Sequence, residues 1–188
     1  AERPFILYAP SYRPTSIYKL ATTIPALSRV GNVVVKLHPY SWNGKYVSHF
    51  QHIIFQYLQL RFPTIKLVPK CKVNILPYLA AAEVMISDGS SVINEYLALG
   101  KCGVIYNLNK KLAHHDGQPL MEEDTSKWLA DSFEHIDHPR QLIDAVEKAL
   151  HPNEIRLKQL IIDRDKVYAY TDGQAARRVK EVILETLT

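Results

Sequence analysis

The chain has 188 residues, a formal net charge of +4, 47% hydrophobic residues and 22% charged residues. These values are typical of one globular domain with a sizeable core, and they exclude a disordered chain. No apolar run reaches the ~18 residues of a membrane-spanning helix. The mild positive charge fits an anionic small ligand or a membrane surface. Because the basic residues form no stripe with interleaved aromatic residues, we expect no nucleic-acid partner.

Apolar strands alternate with helical segments along the chain. Strands are predicted at 5–10, 32–39, 65–69, 84–86 and 103–106. Helices are predicted at 17–29, 47–60, 75–82, 91–99, 140–150, 154–169 and 174–187, with Pro25 disturbing the first and Gly100 ending the fourth. A polar loop is predicted at 107–127. The pattern predicts an α/β fold in a single domain over 1–188, with a Rossmann-like parallel sheet covered by helices on both faces.

The cysteines bear on the cellular compartment of the protein, and the first residue bears on whether the sequence is a segment of a longer one. Cys71 and Cys102 have no metal-binding or redox spacing, so we expect reduced thiols in a cytosolic protein. The chain begins at Ala1 and shows no signal peptide, so we expect a segment of a longer protein.

Polar residues follow three of the predicted strands. Arg13 follows the first strand, His38 ends the second, and the turn 88–91 follows the strand at 84–86. Since ligands of parallel sheets bind at the carboxyl ends of the strands, we expect these groups to lie at one binding edge.

The turn holds Asp88, Gly89, Ser90 and Ser91 and leads from a strand into a helix. Unpaired N–H groups and the positive end of the helix dipole make such a turn an anion site. The alternative is that Asp88 or Ser90 only caps the helix.

Lys36 and His38 lie on the same face of their strand and together could neutralise a pyrophosphate. Alternatively, Lys36 is solvated at a rim and His38 bonds a loop carbonyl. Arg13 has the fork geometry that binds phosphate, although such loop residues often pair with surface acids.

Two further segments carry candidate ligand contacts. Glu95 lies one helical turn beyond Ser91 and could hold the vicinal hydroxyls of a ribose or a glycerol, or it is simply exposed. Asp172 precedes Gly173 and the last helix, where it could cap that helix, while Arg177 and Arg178 could face a ligand or an acidic partner. His114, His115 and Asp116 lack a matching cluster, so we expect no metal.

Five segments together resemble the C-terminal domain of the CDP-glycerol glycerophosphotransferase family, which contains teichoic acid polymerases and primases. They are LYAPSYR at 7–13, VKLHP at 35–39, ISDGSSV at 86–92, GVIY at 103–106 and DGQA at 172–175. The segments occur in the order of the family and cover the chain from about Phe5 to Val182. One departure is Gly89, where the family commonly has an aromatic residue.

The resemblance implies the C-terminal half of a two-domain GT-B transferase, which binds a CDP-linked donor. It implies that His38, Ser90 and Ser91 contact the donor phosphates, that Arg13 supports the diphosphate, and that Asp172 and Gly173 lie near the donor. We therefore expect His38 to be catalytic. We expect the following residues to bind substrate: Arg13, Lys36, Asp88, Gly89, Ser90, Ser91, Glu95, Asp172 and Gly173.

The implied reaction is transfer of glycerol phosphate, or a related polyol or sugar phosphate, to an acceptor hydroxyl in cell-wall or capsule polymer synthesis. The implied partners are a lipid-linked or polymer acceptor and an N-terminal domain that supplies the base, so this chain alone would bind donor without turnover. No cofactor is expected, and the location would be cytoplasmic at the inner face of the membrane. Two alternatives are a GT-B nucleotide-sugar glycosyltransferase or epimerase and a non-catalytic nucleotide-binding or interaction module.

Overall fold

A computed structural model describes residues 3–43, 50–72, 74–108 and 128–187. Within these ranges six parallel strands form one sheet in the order β3-β2-β1-β4-β5-β6. The strands are β1 Phe5–Tyr8, β2 Asn32–Val35, β3 Ile65–Leu67, β4 Val84–Ser87, β5 Val104–Tyr106 and β6 Glu134–Ile136. The parallel sheet predicted from the sequence is confirmed.

Helices connect the strands and continue after the last one. The α-helices are α1 Ile17–Leu20, α2 Gln51–Arg61, α3 Leu76–Ala81, α4 Val92–Ala98, α5 Leu142–Leu150, α6 Glu154–Val167 and α7 Ala175–Thr186. Short 3-10 helices cover Ile24–Arg29, Pro39–Trp42 and Pro139–Gln141. Among the helices that the structure describes, none combines the length and apolar character needed to cross a bilayer.

Two elements differ from the sequence prediction. The predicted helix at 17–29 is broken, since α1 ends at Leu20 and a 3-10 helix with Pro25 in its first turn follows. Proline has no N–H for a helical hydrogen bond and fits only the first turn, which explains the break. Strand β6 was not predicted, because its sequence Glu-His-Ile is short and only its last residue is buried. The predicted loop lies mostly outside the described residues, as does the start of the predicted helix at 47–60.

The central strands are the core of the fold. Every residue of β4 is buried, as are Ile6, Leu7 and Tyr8 of β1. Helices on both faces exclude water from these strands, which accounts for their continuous apolar sequence.

Gly100, with φ +66°, ends the segment after α4 as predicted.

The topology fixes where a ligand can bind. Strand β1 lies between β2 and β4, and the chain leaves β1 toward β2 and returns later on the other side through β4. In such a sheet the loops after β1 and β4 diverge and leave a crevice at the carboxyl edge. The pairing extends one residue beyond β1, where the Ala9 N–H donates to the Ile86 carbonyl at 2.9 Å. The loops at 9–16, 36–38 and 88–91 therefore meet at one edge.

Gly103 tests the close packing of β4 and β5. A Cβ at this position would lie 2.7 Å from Cε1 of Phe133 and 2.8 Å from the carbonyl oxygen of Met85. Because the carbonyl belongs to strand backbone and cannot turn aside, we expect Gly103→Ala to lower the free energy of unfolding by about 1–3 kcal/mol. Urea denaturation measures this change, and an unaltered midpoint would contradict the contact.

Candidate functional site

Asp88 holds together the loops at the carboxyl edge of the sheet. Its carboxylate is fully buried and accepts hydrogen bonds from the Ser11 N–H at 2.7 Å and from both the N–H and Oγ–H of Ser16 at 2.7 Å. Burial raises the pKa of Asp88, while the donors from Ser16 and Ser11 oppose that rise. The loop after β1 is thereby attached to the end of β4.

Two further contacts complete this attachment. The Ser87 Oγ–H donates to the Ala9 carbonyl at 2.7 Å, and Tyr8 Oη lies 2.9 Å from Ser16 Oγ. Substrate binding by Asp88 stays a prediction, and the contacts that the structure shows for it are with Ser11 and Ser16. Its oxygens are committed inside the protein, and its role is to position the loops around the crevice.

A pocket of about 100 Å³ opens beside this anchor. Its polar lining comes from Lys36 and His38, after β2, and from Ser90, after β4. The remaining lining residues are apolar: Ala9, Pro10, Leu37, Pro39, Ile75 and Val92. The structure thus brings together three of the predicted site residues from two strand ends.

Lys36 is a buried cation in this pocket. It is 7% exposed, and its ammonium lies 3.4 Å from the carbonyl oxygen of Leu37. Among the ion pairs of the described residues, none includes Lys36. Burial lowers the pKa of the amine. A buried ammonium without a carboxylate is costly, and a bound anion would remove that cost.

His38 presents a hydrogen-bond donor at the same pocket. Its Nδ1 accepts from the Tyr40 N–H at 3.1 Å, at the start of the 3-10 helix Pro39–Trp42. In the neutral ring the proton then lies on Nε2. Burial and the charge of Lys36 lower the pKa of His38, which favours this neutral form. The ring packs against Tyr12, with centroids 4.6 Å apart.

The turn after β4 differs from a simple capping turn. Ser91 stands at the N-cap of α4 with helical backbone angles, and its side chain makes no capping hydrogen bond. Ser90 is half-buried and lines the pocket, whereas Ser91 is exposed. Of the two serines, Ser90 is therefore the one placed to meet a ligand.

Four predicted ligand residues lie away from this pocket. Arg13 and Glu95 are exposed, and neither lines it. Asp172 accepts two hydrogen bonds from Arg178, at 2.9 Å and 2.6 Å, and this partner holds the pKa of Asp172 well below its usual range. Gly173 adopts φ +73° in open space before α7. Arg178 therefore pairs with Asp172 of the same chain.

The pocket also contains residues that sequence reasoning missed. Ile75 lines it, and the ring of Tyr12 packs against His38, although neither residue ends a strand. A second, more open pocket of about 450 Å³ is lined by Cys71, Lys72, Asn74, Pro77 and Tyr78. These five residues follow β3 or lie in and just before α3, so the strand-end pattern did not mark them. His114, His115 and Asp116 lie outside the described residues, and within those residues no group of His, Cys, Asp or Glu could hold a metal ion.

The strand order and the pocket at the β1–β4 crevice define a Rossmann-type α/β domain with a basic ligand edge. The model of the CDP-glycerol:poly(glycerophosphate) glycerophosphotransferase family matches residues 1–185, and the chain belongs to this family. The predicted family resemblance is confirmed. Among curated proteins no sequence match was found.

Solved structures confirm the fold. The wall teichoic acid polymerase TagF aligns with a TM-score of 0.65 and 14% identity over 99% of this chain and 44% of that chain. TagF with a histidine substitution and soaked with CDPG aligns with a TM-score of 0.64 and 15% identity over 99% and 43%. UDP-GlcNAc 2-epimerase from Neisseria meningitidis, bound to UDP-GlcNAc, aligns with a TM-score of 0.58 and 14% identity over 98% and 45%. This chain spans less than half of each of these structures.

The anchoring role of Asp88 predicts a large loss of stability on its removal. Asp88→Ala leaves two buried N–H groups and a hydroxyl without their acceptor, so we expect the free energy of unfolding to fall by about 3 kcal/mol. Chemical denaturation gives the value. Asp172→Ala is the matched control, since its carboxylate is exposed and its loss should change stability little. Equal effects of the two substitutions would contradict the anchoring role.

Proposed function

We propose that this chain binds a CDP-linked donor, with CDP-glycerol the first candidate, and takes part in transfer of glycerol phosphate to an acceptor hydroxyl in cell-wall polymer synthesis. Family membership supports the donor class and the reaction type. The observation that carries the proposal is Lys36, a buried ammonium without a carboxylate partner among the described residues, beside the donor groups of His38 and Ser90.

The pocket fits the diphosphate of such a donor. Lys36 supplies a full charge, and the neutral ring of His38 supplies the Nε2–H donor. Ser90 adds a hydroxyl near the first turn of α4. The second pocket, lined by Asn74 and Tyr78, is where the nucleoside would extend, since an amide and an aromatic ring suit a base. Ser91 and Gly89 flank the phosphate position.

The chemistry follows from where charge develops. An acceptor oxygen attacks the β-phosphorus in line, the bond from that phosphorus to the bridging oxygen breaks, and CMP leaves with the added negative charge. Lys36 and His38 then stabilise the leaving phosphate electrostatically. Neither group is placed to accept the proton of the attacking hydroxyl. That proton goes to a base outside this pocket, for which an N-terminal domain of the same protein is the proposed source.

The remaining expectations extend this proposal. Arg13, Glu95, Asp172 and Gly173 do not line the pocket and would contact the donor from outside it. The acceptor would be lipid-linked or polymeric, and the protein would work in the cytoplasm at the inner face of the cell membrane.

Removal of the buried charge tests the donor site. Lys36→Met keeps most of the apolar stem but loses the ammonium, so we expect the affinity for CDP-glycerol to fall by about 10- to 100-fold, as for loss of a charged hydrogen bond. Calorimetry with the purified chain measures this. Lys158→Met is the control, since Lys158 is exposed and lies outside the pocket. Unchanged affinity in Lys36→Met would overturn the assignment, and tighter binding of UDP-GlcNAc than of CDP-glycerol would favour the nucleotide-sugar alternative.

The pH dependence of binding isolates His38. Its pKa is lowered from 6.5 in the unliganded protein, and a bound diphosphate raises it again, so binding takes up a proton. Affinity for CDP-glycerol should therefore increase as the pH falls from about 8 to about 5.5. Both phosphates of this donor are esterified and do not titrate in that range. His38→Gln should flatten the profile, and equal slopes in the two proteins would exclude protonation of His38 on donor binding.

A further inference from the structure

Three rings from two loops of the ligand edge contact one another beside the donor pocket. They belong to Tyr12, His38 and Tyr40 and are here called the ring cluster. The centroids of Tyr12 and His38 lie 4.6 Å apart, with their planes inclined by 32°. Tyr40 meets Tyr12 edge-on at 5.1 Å and His38 at 5.1 Å. His38 lines the pocket and neither tyrosine does, so the tyrosines reach a ligand in this pocket through the imidazole.

The hydrogen bond of His38 fixes one point of its ring but not the plane of the ring. Nδ1 accepts from the Tyr40 N–H at 3.1 Å. The torsion between the β-carbon and an imidazole ring has broad minima, so a single hydrogen bond still allows the ring to tilt. The face of the Tyr12 ring limits that tilt. The direction of the Nε2–H donor therefore depends on Tyr12 as well as on the hydrogen bond at Nδ1.

The backbone that carries the Tyr12 ring is itself held from two directions. On one side, the Ser11 N–H donates to the buried carboxylate of Asp88 at 2.7 Å. On the other side, the Tyr12 carbonyl accepts from the Nε2–H of Gln51 at 2.8 Å. Gln51 is the first residue of α2 and is buried. Because the end of β4 and the start of α2 both hold this loop, the Tyr12 ring has a fixed base from which to support His38.

The Tyr12 ring also suits the charged form of His38. A cation within about 6 Å of the centroid of a tyrosine ring is attracted to the face of that ring. The imidazole of His38 lies within this distance. Burial and the charge of Lys36 lower the pKa of His38 in the unliganded protein, whereas a bound phosphate favours the protonated ring. The Tyr12 ring would then stabilise the proton that is taken up.

We propose that Tyr12 is a positioning residue of the donor site, whose ring holds the imidazole of His38 with Nε2–H directed at the donor diphosphate. The role rests on the proposed function, because it requires a diphosphate in the pocket that Lys36, His38 and Ser90 line. Two other roles give different experimental results. Tyr12 could touch the donor directly, or its ring could only fill space between the loops.

A double-mutant cycle tests whether Tyr12 acts through His38. Tyr12→Leu should weaken CDP-glycerol binding about three- to tenfold, the range that corresponds to loss of one aromatic contact. Tyr12→Phe keeps the ring and should bind within about twofold of wild type. In a His38→Gln background, Tyr12→Leu should cause no further loss, because the side chain through which it acts is gone. Calorimetry with the purified chain measures all four affinities.

The control variant and the contradicting results are as follows. Tyr18→Leu makes the same substitution in α1, where the side chain is 54% exposed and outside the pocket, and should leave the affinity unchanged. Unchanged affinity in Tyr12→Leu would overturn the proposal. An equal loss in both backgrounds would overturn it in favour of direct donor contact, and an equal loss in Tyr12→Phe would assign the effect to the hydroxyl group.

Nitrogen NMR of the His38 ring tests the positioning without any donor. Wild type and Tyr12→Phe should show the Nε2–H tautomer and a pKa below 6.5. Tyr12→Leu should weaken the Nδ1 hydrogen bond and give a mixture of the two tautomers, which a space-filling ring would not cause. An unchanged tautomer and titration would overturn the proposal. If the tautomer changes but wild type binds no CDP-glycerol, the proposed function fails and the hold of Tyr12 on His38 remains.

Discussion

The buried carboxylate of Asp88 is the interaction on which the ligand edge depends. A parallel sheet gives strand ends that diverge, and nothing in the ladder itself fixes the loops beyond them. Here one side chain at the end of β4 receives two main-chain N–H groups and a hydroxyl from the loop after β1. Since all three donors are satisfied by the same carboxylate, the loop has one favourable position relative to β4. Ala9 and Pro10 of that loop form one wall of the pocket that Lys36, His38 and Ser90 line.

A comparison of Asp88 with Lys36 separates structural charge from functional charge. Both side chains are buried at the same edge of the sheet, on strands that flank β1. Asp88 is surrounded by donors that the protein provides, so its burial is already compensated. Lys36 has the carbonyl of Leu37 at 3.4 Å and no carboxylate among the described residues. Burial of the Lys36 ammonium without a carboxylate costs desolvation free energy. A bound anion would offset that cost, which favours a role for Lys36 in binding an anion.

The sequence predicted the parallel sheet and its binding edge because both depend on local patterns. Apolar strands ended by proline or by polar turns identified Lys36, His38 and Ser90, which the structure brings into one pocket. It could not show that Asp88 faces inward, since a polar turn residue has the same pattern whether it meets a ligand or a neighbouring loop. Glu95 illustrates a second limit: helical spacing relates it to Ser91, but only packing decides that it is exposed. Strand β6 was missed because its burial comes from α5 and from the sheet, with little signal in its own three residues.

The polar groups of the pocket are hydrogen-bond donors, so in the proposed reaction the pocket supplies no general base. Lys36 is a donor, Nδ1 of His38 is occupied by the Tyr40 N–H, and the remaining ring nitrogen holds the proton of the neutral form. Such a set stabilises a leaving phosphate but offers no acceptor for the proton of an attacking hydroxyl. The residues that line the pocket include no Asp or Glu, and the carboxylate of Asp88 at the end of β4 is enclosed by its own donors. In the proposed reaction, activation of the acceptor therefore requires a group from outside this pocket.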